Sequence, residues 1–204
     1  MTLPDSAVAR LREAVRAPDL SGTRYRLAGT IGAGGMGAVF EVEDEILGRR
    51  LALKVVDVSL EGEGPAEALL AEARVLARLE HPGLVPVHDA GRLPDGRAFY
   101  AMKLVRGEGL AAAAARAVTL PERLRLFLRV CEPVAFANAA GVVHRDLKPS
   151  NVMVGPFGEV LVLDWGLARA AASGPADASG TPGFMAPEQA SGGPVDARAD
   201  VYGL

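Results

Sequence analysis

Cysteine is nearly absent from this chain: Cys131 is the only one among 204 residues. No disulfide can form within one chain. Cys131 falls in an apolar stripe at helical spacing and reads as a buried thiol rather than a reactive one. An excess of either charge is lacking too, with 22 Lys and Arg against 25 Asp and Glu and a net charge of −3. Nothing in that balance asks for a nucleic-acid partner. No apolar run reaches the roughly 18 residues of a transmembrane helix. Pro4 and Asp5 interrupt the beginning, where a signal peptide would need an apolar stretch. The cytoplasm is therefore the expected compartment. What is present is ample core material, since half of the residues are apolar, and a length that fits one or two domains.

Residues 1–22 carry a weak helical pattern (Val8, Leu11, Val15) ended by Pro18. From Arg24 the texture becomes strand-like. Gly32, Gly34 and Gly37 form a G-x-G-x-x-G string, which by itself is weak evidence. A dinucleotide-binding turn would open a helix after it, and Asp57 even lies at about the distance that fingerprint wants. Here Ala38–Glu43 alternates apolar and polar residues, the mark of a strand. Two strands around a glycine turn make a hairpin whose bare backbone can approach a phosphate.

Leu51–Val56 is an apolar run with one lysine, Lys54. Either Lys54 faces water from an edge strand or it is buried and needs an anionic partner. The helix expected over Pro65–Glu80 places Glu72 in the same stripe as Leu69, Leu76 and Leu79. Glu63, Glu67 and Glu80 read as solvated. Glu72 is then the candidate partner of Lys54. His81 and Pro82 end that helix, His81 as a cap rather than a ligand. Strands are expected at Leu84–Val87 and Ala98–Met102 around the turn Pro94–Gly96. Helices are expected at Leu110–Val118 and Pro121–Ala140, the second ended by Gly141 and kinked at Pro133. Its apolar residues Leu124, Phe127, Leu128, Cys131, Val134 and Ala135 cover more than one stripe, so it needs neighbours on several sides.

The densest chemistry lies at His144-Arg145-Asp146-Leu147-Lys148-Pro149-Ser150-Asn151, followed by Asp164-Trp165-Gly166. Asp146 can accept the proton of an attacking hydroxyl, Lys148 can offset phosphate charge, and Asn151 and Asp164 offer hard oxygen ligands that suit Mg2+. Polar loop residues between strands would be the plain alternative for any one of these. The whole string, with Gly180-Thr181-Pro182 and Ala186-Pro187-Glu188 downstream, resembles the eukaryotic-type (Hanks-type) serine/threonine protein kinases of bacteria. The resemblance covers residues 25–204.

That resemblance implies an α+β, protein-kinase-like bilobal fold. Residues 1–23 would be an N-terminal helical extension. Residues 24–103 would be the N-lobe, an antiparallel five-stranded sheet with one helix. Residues 104–204 would be a C-lobe, mainly helical and incomplete because the family continues beyond the position of Leu204. The implied activity is ATP- and Mg2+-dependent phosphorylation of Ser/Thr hydroxyls on protein substrates, with self-association for autophosphorylation. Nucleotide would be held by Ile31, Gly32, Ala33, Gly34, Gly35, Met36, Gly37, Val39, Ala52, Lys54, Met102, Leu104 and Met153, although Met102 taken by itself reads as core. Asp146, Lys148, Lys54 and Glu72 would be catalytic, and Asn151 and Asp164 would hold the metal. Trp165 would replace the family's usual Phe as an aromatic anchor, and Asp200 would be a buried acid. Residues 170–180 would be the regulatory segment, with Ser173 or Ser179 taking phosphate near Arg145. The alternative reading is a truncated, inactive nucleotide-binding or scaffold module. A small-molecule kinase of the aminoglycoside type is disfavoured by the Ala-Pro-Glu segment.

Overall fold

The computed structural model describes residues 17–34, 37–57, 63–166, 169–170 and 180–204. The residues that carry the helical pattern read over 1–22 (Val8, Leu11 and Val15) and the phosphate acceptors Ser173 and Ser179 lie outside the described residues, and residues 17–23 of the expected extension are not helical. The chain divides into two compact units, Met1–Ala73 with Val87–Leu104, and Arg74–Pro86 with Val105–Leu204.

The first unit is a five-stranded antiparallel sheet and a helix. Its elements are β1 (Tyr25–Gly34), β2 (Gly37–Asp44), β3 (Arg49–Val56), α1 (Glu63–Leu76), β4 (Val87–Arg92) and β5 (Ala98–Lys103), with strand order β1-β2-β3-β5-β4. Alternation along β2 explains the layering. Ala38, Phe40 and Val42 point into a core with Tyr25, Leu51, Leu53, Val55, Leu93, Phe99 and Ala101. The intervening residues face the other side of the sheet. Just before β1, Arg97 donates to the carbonyl of Ala17 at 2.7 Å, Asp95 accepts from the Asp19 N–H at 3.1 Å, and Leu20 packs on the core. This stretch is thus pinned to the β4–β5 turn.

The largest departures from the sequence reading in this unit fall at the end of α1 and at β4. Helix α1 closes at Leu76 rather than at Glu80, because the tighter bonds Arg78 N–H to Val75 O and Leu79 N–H to Leu76 O take over. The strand expected at Leu84–Val87 is instead Val87–Arg92. Pro86 lacks an N–H for the ladder, and Leu84 makes only an isolated bridge to Val162.

The second unit runs β6 (Glu108–Gly109), α2 (Leu110–Arg116), α3 (Leu120–Ala139), β7 (Val142–Val143), a 3-10 turn (Pro149–Asn151), β8 (Val152–Val154), β9 (Val160–Val162), β10 (Arg169–Ala170), α4 (Pro187–Ala190) and α5 (Ala197–Gly203). Helix α3 starts on a capping box. The Thr119 hydroxyl accepts from the Glu122 N–H, and the Glu122 carboxylate accepts from the Thr119 N–H. It ends at Gly141, whose φ of 77° is the left-handed conformation that closes a helix without a Cβ penalty. Pro133 lies inside α3 and fills the space over Gly83, where a Cβ would come within 2.8 Å of its ring. Cys131 is only half-buried, contrary to the sequence reading. Val130, Pro133, Val134 and Ala137 form the buried face of α3, and Cys131 lies at its margin. Leu124, Phe127 and Leu128 stay exposed. No described helix is long and apolar enough to cross a membrane.

Candidate active site

In the first unit, strand register gathers the candidate residues on one face of the sheet. Gly32 pairs with Val39, Val39 with Lys54, and Lys54 with Tyr100. Two residues earlier in β3, Ala52 pairs with Met102. Directly paired residues share a face, as do residues two apart. Val39 and Met102 are half-buried and Ala52 is buried. Leu104, half-buried, follows the end of β5, and Ile31 is exposed in β1. Gly35 and Met36 lie outside the described residues.

The glycines of the hairpin have different causes. A Cβ on Gly37 would lie 2.2 Å from the carbonyl oxygen of Val55, so the sheet itself demands glycine there. At Gly32 and Gly34 a Cβ would meet nothing within 4 Å. Both are exposed, as is Ala33 between them. Neither has the positive φ that favours glycine, so neither packing nor backbone conformation requires its bare backbone. A bare, exposed backbone of this kind is open to close approach by a ligand.

Lys54 lies on an interior strand of the sheet, which removes the edge-strand reading. Its Nζ donates to both carboxylate oxygens of Glu72, at 2.9 and 3.0 Å. Exposure of the two side chains is 14% and 4%. The Tyr100 hydroxyl donates to Glu72 Oε1 at 2.9 Å, and Lys54 Nζ lies 5.7 Å from the Tyr100 ring centre. Tyr100 therefore orients both members of the pair. Sequence reading placed it in a strand without singling it out, since its pairing with Lys54 depends on a β3–β5 contact between distant segments.

In the second unit the loop after β7 is built around Asp146. Its Oδ2 accepts from Lys148 Nζ at 2.7 Å and from Asn151 Nδ2 at 3.2 Å. Its Oδ1 accepts from the Thr181 hydroxyl at 2.7 Å, which itself accepts from Lys148 at 2.6 Å. Burial works to raise the Asp146 carboxyl, but the hydrogen bonds from Lys148 and Thr181, the Lys148 charge and Asn151 outweigh it. The group is held below the usual carboxylate value and stays ionised. Asn151 is buried and also donates to the Asp146 carbonyl at 2.8 Å. Its Nδ2 is thereby committed to Asp146, which leaves Oδ1 for another partner.

Asp164 is exposed with φ of 57°. The Leu163 N–H donates to the Asn151 carbonyl at 2.8 Å, which ties the Asp164 segment to the Asn151 turn. One carboxylate and one amide oxygen suit Mg2+, which keeps waters and phosphate oxygens for its remaining positions. Among the described residues no cluster of three His, Cys, Asp or Glu competes as a metal site. Met153 is half-buried in β8.

Beneath the loop, His144 is fully buried and lies against Trp165, ring centres 4.5 Å apart. The Trp165 indole donates to the Val162 carbonyl at 3.3 Å. His144 Nδ1 accepts from the Asp146 N–H at 3.2 Å, and Nε2 lies 2.9 Å from the Leu163 carbonyl. Those partners require a neutral ring protonated on Nε2. Burial lowers the His144 pKa, and this outweighs the Leu163 carbonyl and the nearby carboxylates. A histidine held neutral in the folded state supplies stability above its unfolded value of about 6.5. That stability is lost as pH falls below this value, by at most about 1.4 kcal/mol per pH unit. Melting temperature is expected to drop between about pH 7 and pH 5, and this component of the drop should vanish in His144→Gln. An identical pH dependence in both proteins would refute the assignment.

Asp200, buried at the start of α5, accepts from the N–H groups of His144 and Arg145, both at 2.9 Å. Burial pushes its carboxyl up, opposed by these two bonds. Arg145 is itself buried.

This chain belongs to the protein kinase family: the protein kinase domain matches residues 25–204. The serine/threonine-protein kinase PknA of Mycobacterium tuberculosis is 40% identical over 196 residues, which cover 91% of this chain and 45% of that protein. The DNA damage-responsive serine/threonine-protein kinase RqkA of Deinococcus radiodurans is 41% identical over 194 residues, 89% of this chain and 28% of the relative. The probable serine/threonine-protein kinase PknB of Corynebacterium glutamicum is 36% identical over 191 residues, 88% and 30% of the two chains. The chain spans less than half the length of these relatives. Its α+β architecture, with the five-stranded antiparallel sheet of the first unit, is the one that the family resemblance implies.

Proposed function

We propose that this domain transfers the terminal phosphoryl group of ATP to serine and threonine hydroxyls of proteins. The observation that carries this reading is the ionised Asp146, fixed by Lys148, Asn151 and Thr181 at both of its oxygens. Such a carboxylate orients a hydroxyl and takes its proton as the oxygen bonds to phosphorus and ADP leaves. Lys148 offsets charge on the group in transit. Lys54, fixed by Glu72 and Tyr100, holds the phosphates of the nucleotide, over which Gly32 and Gly34 present bare backbone. Val39, Ala52, Met102, Leu104 and Met153 would serve the adenine end. Asn151 and Asp164 would hold Mg2+, which supplies neutralisation of phosphate charge. The demand for ATP fits a cytoplasmic setting. Catalysis of this kind rests on positioning and electrostatics rather than on covalent intermediates.

The test is phosphate transfer from labelled ATP to peptides that differ only in carrying Ser, Thr or Tyr. Transfer to Ser and Thr but not Tyr, abolished by chelation of Mg2+, is expected. Nucleotide binding with no transfer to any of the three would favour a binding or scaffold module instead.

A further inference from the structure

The residue before Asp146 is held in an unusual way. Arg145 has φ of 73°, a left-handed conformation that a side-chain-bearing residue adopts where its surroundings impose it. Two buried side chains from different elements grip its two peptide groups. Asp200 of α5 accepts from the Arg145 N–H at 2.9 Å. Gln189 of α4, 2% exposed, donates from Nε2 to the Arg145 carbonyl at 2.6 Å. Gly180 closes over this second bond. A Cβ there would come within 2.9 Å of Gln189 Nε2 and 3.3 Å of the Arg145 oxygen. The peptide that Gln189 grips is the one joining Arg145 to Asp146.

We propose that Gln189 is a positioning residue for Asp146: its amide fixes the Arg145–Asp146 peptide plane while Asp200 fixes the preceding one, and together they set the direction in which the Asp146 side chain leaves the backbone. The proposal rests on the kinase reading above. Asp146 is then oriented from two sides, by Lys148, Asn151 and Thr181 at its carboxylate and by Gln189 and Asp200 at its backbone. Loss of the Gln189 donor takes a hydrogen bond from the buried carbonyl of a strained residue, and the loop relaxes toward another conformation. The nucleotide-holding residues Lys54 and Glu72 are not touched by this change.

The experiment compares Gln189→Met, which keeps length but has no donor, with Gln189→Glu, which regains a donor only when protonated. Steady-state kinetics and backbone amide exchange are measured on the full chain. Gln189→Met is expected to lower kcat about 10- to 100-fold, with KM for ATP and peptide held within about twofold. Exchange of the amides of residues 144–146 should quicken. Gln189→Glu should recover activity relative to wild type as pH falls from about 8 to about 6, as the buried carboxyl takes up a proton and donates again. Wild-type kcat in Gln189→Met, or a kcat loss with unaltered loop exchange and no pH recovery in Gln189→Glu, would overturn the proposal. A wild type that transfers no phosphate would defeat the kinase reading instead, and loop exchange in Gln189→Met would still decide whether the clamp exists.

Discussion

Asp146→Asn is expected to lower turnover about 100- to 10,000-fold, the usual worth of a positioned general base. ATP affinity should stay within about twofold, because Asp146 is bonded to Lys148, Asn151 and Thr181 and is assigned to the hydroxyl rather than to nucleotide. The fold should survive. An asparagine oxygen can take the place of Oδ2, accepting from Lys148 and Asn151. Its NH2 then faces the Thr181 oxygen, which can accept a hydrogen bond once its own proton has turned away. What disappears is the negative charge. With the carboxyl held below its ordinary value by Lys148, Thr181 and Asn151, protonation of Asp146 does not limit the rate until pH falls below the ordinary carboxylate range. Calorimetric titration with nucleotide, set beside peptide phosphorylation rates, checks both halves. Loss of ATP affinity matching the loss of turnover would contradict this division of labour.

Local patterns in the chain carried much of this site. Glu72 was legible because it is the one acid in an apolar helical stripe, and its partner because Lys54 is the one charge in an apolar strand. The string from His144 to Asn151 is short enough to keep its residues together, and Lys148 and Asn151 both meet Asp146. What stayed hidden depends on elements far apart in the chain. Tyr100 reaches Glu72 through the β3–β5 register, and nothing in Phe99-Tyr100-Ala101 marks it as more than core. Gln189 reads as a polar residue on a short helix until α4 is placed against the loop. Cys131 went astray for a related reason. Periodicity marks which residues of α3 share a face but not how wide a neighbour covers it. The start of β4 was misplaced because Leu84 and Val85 are buried without belonging to the sheet.

Lys54→Met should abolish phosphoryl transfer, with a loss of at least about 100-fold, the scale for removal of a single preorganised donor. Two effects compete in its influence on the fold. Breaking a buried ion pair by removing one partner costs about 3–5 kcal/mol when the remaining charge is stranded. Here Glu72 keeps the Tyr100 hydroxyl as a donor, and Met preserves most of the packing of the lysine stem against its β2 and β5 neighbours. The destabilisation should therefore fall at or below the low end of that range. A domain with a margin of about 5–15 kcal/mol remains folded. The two roles of Lys54 separate in the double variant Lys54→Met with Glu72→Gln. Neutralising Glu72 removes the stranded charge and leaves an amide oxygen for Tyr100, so stability should return most of the way. Activity should not, because the cation beside Glu72 is gone, and the other cation that β3 places on that face, Arg50, is bound to Glu41 and Glu43. Chemical denaturation and phosphate transfer measured on wild type and both variants provide the check. Recovery of transfer together with stability would mean that Lys54 only props the helix and that another residue holds the phosphates.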